Sequence, residues 1–421
     1  MNNLAINLIE DGLDHRFDHF GRVGTAHRFL RAPLLVGNAH PTFTPSDLAS
    51  DRNDDQGLED FNTGHAGYIS SLQDKIEKLR NNLYSYSKYY PAPLDSILVN
   101  HYQERLRCAD KQPMIGEYGA FIIGDLLSIE PRITEYLAFP WLLLYEYSLL
   151  LDDLLDKSRS HWSHELLLSQ MLLESSLNEY RKLLGDNQQV WSAYESYRRE
   201  SIDGMLYEIE WSTRIKKHSG SEVIIQQGRK AAMVKFCAAS MVCLDNNRTL
   251  TPKEEKGIDH LCAGIQLLDD STDALEDHMA GRMNILLEET YEWFKKNIFN
   301  SISNIHPKDI GGNQLMVGLV YSGGISRSWK TATEQLDKAI ELLADKGSQV
   351  ANYLNAISIR CRKSSIIIDE ALEANPELQE VFFRALAKGD RFTMTEINSE
   401  KLSEVWRKIA GLINDGPKAR N

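Results

Sequence analysis

Two acidic clusters stand out because each ends an apolar stretch with helical periodicity. The first follows YSLLL and the second follows GIQLL. Both have the spacing DDxxD, and together they comprise Asp152, Asp153, Asp156, Asp269, Asp270 and Asp273. Residues four apart share one face of a helix and lie about 6 Å apart along it. Carboxylates this close repel one another, and apolar neighbours add a desolvation cost, so bound cations are expected to relieve the conflict.

Magnesium is the cation that this chemistry favours. Mg²⁺ prefers oxygen ligands, usually one or two carboxylates together with water and phosphate oxygens. Asp277 extends the second cluster by one more helical turn along the row that Asp269 and Asp273 begin. One such cluster is common on a solvated helix, but two on apolar helices favour metal binding. The spacing therefore predicts that these aspartates bind Mg²⁺ and that Mg²⁺ binds a diphosphate, with Asp152, Asp156 and Asp269 as the catalytic set.

The composition excludes several other classes of protein. The net charge is -13, which argues against a nucleic-acid or anionic-membrane partner. No window reaches the roughly 18 apolar residues of a membrane span. Five cysteines are scattered without paired spacing, which argues against a disulfide framework or a zinc site. The first residues lack the apolar segment of a signal peptide, so a cytoplasmic protein is expected.

The chain divides into two regions by composition. Residues 1–65 are rich in Asp, His, Asn, Gly and Pro and are expected to form an irregular N-terminal extension. Residues 66–421 show helical periodicity for most of their length, as in ITEYLAFPWLLLYEYSLLL and ATEQLDKAIELLADKGSQVANYL. Only SEVIIQQG approaches a strand pattern, and it continues into a helical one. The pattern predicts one all-α domain with extended C-terminal helices.

The two clusters resemble the aspartate-rich motifs of the class I isoprenoid synthases, most closely the trans-prenyl diphosphate synthase (polyprenyl synthetase) family. The resemblance covers roughly residues 70–300. It implies an all-α bundle around a deep apolar pocket, three Mg²⁺ ions, an allylic prenyl diphosphate as substrate, and a homodimer.

Further residues are assigned by position relative to the family motifs. Gln266 precedes the second motif, and Lys230 lies where the family has a diphosphate-binding lysine. Lys111 lies near the position of a basic Gly-Lys-Arg segment, and Tyr147 lies where the relatives limit product length. Neighbouring basic side chains join them, so that the expected substrate-binding set is Lys111, Tyr147, Arg159, Arg229, Lys230, Gln266 and Arg282.

The departures from the family concern its second diphosphate site. The Gly-Lys-Arg segment reads Asp110-Lys111-Gln112 here, and the family's paired arginines fall at His161-Trp162. A bidentate phosphate clamp needs arginine. The first hypothesis is therefore a terpene cyclase that ionises a C15 to C25 allylic diphosphate. Aromatic faces would stabilise the carbocation by about 0.5–2 kcal/mol each, and the candidates are Trp141, Tyr145, Tyr147, Tyr207 and Trp211.

Two alternatives remain open from the sequence. A chain-elongating prenyltransferase could bind isopentenyl diphosphate with other basic residues, such as Lys111, Arg159 and Lys230. A non-catalytic partner subunit is the third hypothesis, and the retention of both complete motifs argues against it.

Overall fold

The computed structural model describes residues 67–108, 112–156, 162–212, 220–297, 310, 312–345 and 347–377. Within these ranges every regular element is an α-helix, which confirms the predicted all-α class. The expected extension over residues 1–65 and the C-terminal stretch 378–421 lie outside the described residues. The principal helices are α1 Gln73–Ser87, α2 Leu94–Cys108, α3 Ile115–Leu126, α4 Pro131–Asp156, α5 Trp162–Leu184, α6 Gln188–Ser212, α7 Gly220–Lys230, α8 Met233–Asn246, α9 Pro252–Ala280, α10 Ile285–Asn297, α11 Gly312–Tyr321, α12 Gly324–Leu343 and α13 Gln349–Glu373.

Helices α3 and α8 form the centre of the bundle. Every residue of α3 except Asp125 is buried, and residues 235–243 of α8 are all buried. Helices that are enclosed on all sides form the core of a larger bundle. The long helices α4 and α9 lie around this centre, with α4 against α3 and α5, and α9 against α7 and α12. None of the described helices has both the length and the apolar character needed to cross a bilayer.

The start of α9 follows directly from its sequence. The hydroxyl of Thr251 accepts a hydrogen bond from the backbone N–H of Glu254 at 3.3 Å, and the Glu254 carboxylate accepts one from the backbone N–H of Thr251 at 2.7 Å. Pro252 occupies the first turn, where no backbone donor is needed. Gly281 ends the helix with a φ of 74°. These signals define a helix of 29 residues, about 43 Å long.

The structure defines two stretches more closely than the sequence does. SEVIIQQG lies within helix α7 rather than in a strand, and its Val223 is buried. The periodic stretch after Thr331 divides into α12 and α13, because the backbone becomes extended at Ala344 and then turns at Gly347, which has a φ of 86°. The Ser348 hydroxyl then caps α13 by accepting a hydrogen bond from Ala351 N. Periodicity continues through this turn, so it could not reveal the break.

Two glycines allow α9 and α12 to pack closely. A Cβ atom on Gly257 would lie 2.5 Å from Leu343 Cγ, and one on Gly264 would lie 3.0 Å from Leu336 Cδ2 and 3.2 Å from the Ala332 carbonyl oxygen. The two glycines lie about two turns apart on the same face of α9. This face is opposite the acidic one, so the close packing fixes the helix that carries the second cluster.

Enlarging Gly264 tests this close packing. We expect Gly264→Val to lower the free energy of unfolding by about 1–3 kcal/mol, because an overpacked contact forces the helices apart. Gly67→Val is the matched control, since nothing lies within 4 Å of a Cβ at that exposed position. Denaturant unfolding measures both variants. Equal stabilities for the two would show that α9 and α12 do not need the glycine.

Candidate active site

An apolar cavity of about 390 Å³ lies between α3, α4, α6 and α9. Along α4 its lining extends from Trp141 to Asp152, a distance of about 16 Å along the helix axis. Its remaining walls are mainly aliphatic, from Ile115, Leu144, Met205, Leu261 and Ile265 among others. The volume is in the range of about 300–1,000 Å³ that is typical of ligand sites. The first acidic cluster thus borders a space suited to a hydrocarbon chain.

The aromatic wall depends on two glycines of α3. A Cβ atom on Gly116 would lie 2.3 Å from Tyr145 Cδ1, and one on Gly119 would lie 3.3 Å from Trp141 Cζ2. The rings of Tyr145 and Trp141 therefore lie directly against the α3 backbone. Their centroids are 5.9 Å apart.

The other aromatic candidates divide between the cavity and the core. Tyr147 lines the cavity and is half-buried, and Tyr194, which was not a candidate, lines it as well. Tyr207 and Trp211 are not among the lining residues. Trp211 is buried and donates its indole N–H to Glu288 at 3.2 Å.

A smaller polar cavity adjoins the apolar one. Asp152 and Asp269 line both cavities, so they mark the junction between the acidic and the apolar space. The polar cavity is also lined by the other predicted aspartates of α9, which are Asp270, Asp273 and Asp277. Gln266, Arg282 and Glu208 complete its polar lining. The structure thus brings all four predicted aspartates of α9 to one cavity, which Asp152 of α4 also lines.

The rest of the first motif is placed differently. Asp153 is buried but lies outside the lining of both cavities. Asp156 ends α4, and its side chain lies outside the described residues. The last turn of α4 contains no basic residue, although the C-terminus of a helix carries partial negative charge. Metal binding by these two aspartates stays a prediction.

Asp269 is a buried carboxyl group that lies among other acids. It is buried, and within the described residues its Oδ1 accepts no hydrogen bond. Burial, together with the neighbouring carboxylates of Asp273 and Asp270, raises the pKa of Asp269 well above its ordinary value. An arriving cation would therefore find a buried oxygen whose charge few protein contacts offset.

Asp270 is held by amide groups instead. Gln266 donates to its Oδ1 at 3.3 Å, and Gln227 donates to its Oδ2. Burial, with the nearby carboxylates of Asp277 and Glu208, raises the pKa of Asp270 to about 7. Because both oxygens already accept hydrogen bonds, Asp270 is less available to a cation than Asp269.

Asp277 is held by the residues just after α9. Arg282 contacts its Oδ1 at 2.7 Å, and Asn284 donates to its Oδ2 at 2.8 Å. Burial raises the pKa of Asp277, although Arg282 and Asn284 both favour its charged form. Arg282 therefore lines the polar cavity but pairs with an aspartate there, and its role in substrate binding stays a prediction.

Lys230 bridges two helices across the junction. Its Nζ lies 3.0 Å from Asp152 Oδ1 on α4 and 2.7 Å from Glu208 Oε2 on α6. Burial alone would lower the pKa of Lys230, but these two carboxylates outweigh it and raise the pKa well above its ordinary value. Lys230 is therefore a permanent positive charge among the acids.

The other predicted basic residues are not brought to the cavities. Arg229 lies outside both linings, is half-exposed, and has its Nε 3.8 Å from Glu200 Oε1. Lys111 and Arg159 lie outside the described residues. Their roles in substrate binding stay predictions.

Three residues of this site were missed by sequence reasoning. Glu208, Gln227 and Asn284 contact the predicted residues from α6, α7 and the loop after α9. The sequence held one signal for Glu208. It lies one turn after Gly204, and a glycine within a helix can mark a close approach to a neighbouring helix. Gln227 and Asn284 offered none, since ordinary amides occur throughout the chain.

The acidic residues fit a shared magnesium site better than a self-contained one. Across the described parts of the chain, no three Asp, Glu, His or Cys side chains are grouped closely enough to form a metal cluster. Mg²⁺ usually takes only one or two carboxylates and completes its shell with water and phosphate oxygens. Asp152 and Asp269, one from each helix, match that requirement. The all-oxygen donor set and the unsatisfied Oδ1 of Asp269 fit the same ion.

The fold is an α-helical bundle that encloses an apolar cavity, with acidic motifs on two helices. Solved structures of a heptaprenyl diphosphate synthase and a polyprenyl synthase share this fold. A heptaprenyl diphosphate synthase from Staphylococcus aureus matches 69% of this chain and 98% of its own, with a TM-score of 0.52 and 14% identity. A polyprenyl synthase from Roseobacter denitrificans matches 72% of this chain and 99% of its own, with a TM-score of 0.51 and 13% identity.

Sequence comparisons give no nearer relative. No protein-family model matches the chain, and no curated protein matches it. The similarity is therefore one of fold, which confirms the predicted architecture.

Neutralising Asp269 tests the electrostatic strain of the site. We expect Asp269→Asn to raise the free energy of unfolding of the metal-free protein at pH 8 by on the order of 1 kcal/mol, the usual size of the effect of a single substitution. The reason is that the amide is not repelled by the neighbouring carboxylates. Denaturant unfolding with a chelator present measures it. Asp203→Asn removes a charge from an exposed position of α6 and should change little. A lower free energy of unfolding for Asp269→Asn than for the wild type would show that repulsion at Asp269 does not destabilise the metal-free protein.

Proposed function

We propose that the protein is a magnesium-dependent prenyltransferase that condenses isopentenyl diphosphate with an allylic prenyl diphosphate. The observation that carries this proposal is the junction of the two cavities, where Asp152, Asp269 and Lys230 meet the mouth of a 390 Å³ apolar space. A diphosphate fits the polar side, and its hydrocarbon chain fits the apolar side. The two solved structures with the same fold bear the names of chain-elongating synthases, which supports elongation over the cyclase hypothesis.

In this proposal, different residues of the site bind the metal ion, supply positive charge and position the carboxylates. Asp152 and Asp269 would hold Mg²⁺, which when bound supplies the positive charge that draws a diphosphate off the allylic carbon. Lys230 adds a permanent positive charge at the same place. Gln227 and Gln266 keep Asp270 in position behind Asp269.

The apolar cavity would protect the allylic carbocation from water. The rings of Trp141 and Tyr145 lie against α3 with their positions fixed by Gly119 and Gly116. Aromatic faces directed at a cation stabilise it by about 0.5–2 kcal/mol each. The length of chain accepted depends on how far the cavity extends beyond these rings.

The terpene cyclase remains a second candidate because of one observation. The segments where the relatives bind the second diphosphate lack paired arginines, and read Asp110-Lys111-Gln112 and His161-Trp162. An elongating enzyme with this sequence needs other cations, and Lys111 and Arg159 are the candidates nearest to these segments. The requirement for isopentenyl diphosphate separates the two functions.

The assay combines Mg²⁺ with C10, C15, C20 or C25 allylic diphosphates, each with and without isopentenyl diphosphate. We expect longer prenyl diphosphates to form only when isopentenyl diphosphate is present. Asp152→Asn and Asp269→Asn should each lower kcat/KM by about 100-fold or more, because each removes charge that acts on the departing diphosphate. Mass spectrometry and a diphosphate-release assay measure the products.

Asp203→Asn provides the control, since it removes the same charge from an exposed site on α6. Hydrocarbon or alcohol products formed without isopentenyl diphosphate would contradict elongation and establish the cyclase. Failure to release diphosphate from any of the four substrates would contradict both functions.

A further inference from the structure

One face of α6 holds Lys230 at three points. The Ser201 hydroxyl donates to the Lys230 carbonyl oxygen at 2.7 Å. A Cβ on Gly204 would lie 2.5 Å from the Lys230 nitrogen, so the glycine lets α6 touch the α7 backbone. The Glu208 carboxylate contacts Lys230 Nζ at 2.7 Å. Positions 201, 204 and 208 follow one another at helical spacing, so a single face fixes both the backbone and the side chain of Lys230.

The ammonium group of Lys230 has two carboxylate partners on different helices. Asp152 on α4 belongs to the proposed cation site, whereas Glu208 on α6 lies at the edge of the polar cavity. Both contacts are partly exposed, with Asp152 at 30% and Glu208 at 37%. A lysine ammonium is a compact charge on a flexible stem. It can therefore leave one carboxylate for the other without a change in the backbone.

A cation that binds Asp152 must compete with this ammonium. The two positive charges repel each other at one carboxylate, and the lysine needs a counter-ion when it withdraws. Glu208 is already in contact with it. We propose that Glu208 is a positioning residue that retains Lys230 when a divalent cation takes Asp152, and so determines how tightly the site binds that cation. This inference rests on the proposed function.

A double-mutant cycle separates this role from direct coordination of the cation by Glu208. The probe is Mn²⁺, counted by the electron paramagnetic resonance signal of the free ion, with no diphosphate present. We expect Glu208→Gln to weaken Mn²⁺ binding roughly fivefold, a modest effect because the ion pair is partly exposed. Lys230→Met should strengthen binding by removing the competitor. In the Lys230→Met background, Glu208→Gln should then have less than about a twofold effect, because the residues act as a coupled pair.

Glu195→Gln is the matched control, since it removes the same charge from an exposed position about 20 Å away along α6. It should leave Mn²⁺ affinity unchanged. Thermal unfolding checks that each variant is folded, and Lys230→Gln replaces Lys230→Met in the cycle if the methionine variant does not fold.

The outcomes distinguish this inference from the proposed function. An equal loss of affinity from Glu208→Gln in both backgrounds would identify Glu208 as a direct ligand and overturn the positioning role. Wild-type affinity in Glu208→Gln would overturn it as well. Manganese bound only together with inorganic diphosphate would overturn the inference and leave the proposed function standing. No binding under either condition would overturn both.

Discussion

Repulsion among buried carboxylates is the constraint around which this bundle is arranged. Asp152 and Asp269 border the same junction from opposite helices, and the other acids of α9 surround them. Buried charges of one sign cost free energy unless opposite charges or hydrogen bonds offset them. The protein offsets them unequally, because Asp270 and Asp277 have two partners each whereas Asp269 Oδ1 has none among the described residues.

The rest of the fold supplies the stability that this arrangement requires. On the side of α9 away from the acids, Trp329 of α12 is buried and donates its indole N–H to Ser271 at 2.9 Å. The fully buried Arg105 of α2 pairs with Glu146 of α4. Removing one partner of such a pair typically costs about 3–5 kcal/mol. Contacts made by residues other than the motif aspartates thus hold both helices, which limits how far the acids can move apart.

Sequence reasoning recovered what depends on local periodicity. The apolar runs, the DDxxD spacing and the capping signals of Thr251 are all local, and they placed the acids on helices α4 and α9 correctly. It could not choose between Arg229 and Lys230, because neighbours on a helix point about 100° apart, and only the structure shows that Lys230 lines the two cavities while Arg229 does not. Sequence reasoning missed Glu208 for a related reason, because its contact with Lys230 depends on how α6 packs against α7. Tyr207 lies next to Glu208 on the same helix and points elsewhere.

The distribution of partners also determines what a bound cation would do to the fold. A ligand that binds only the folded state stabilises it in proportion to its affinity and concentration. An ion shared by Asp152 and Asp269 would join α4 to α9 at the junction where their carboxylates now repel. The same two residues would then exchange the repulsion between their carboxylates in the empty bundle for attraction to a shared ion in the loaded one. Until an ion binds, Lys230 reduces the repulsion between the carboxylates. Its second partner, Glu208, therefore affects how readily the junction accepts an ion.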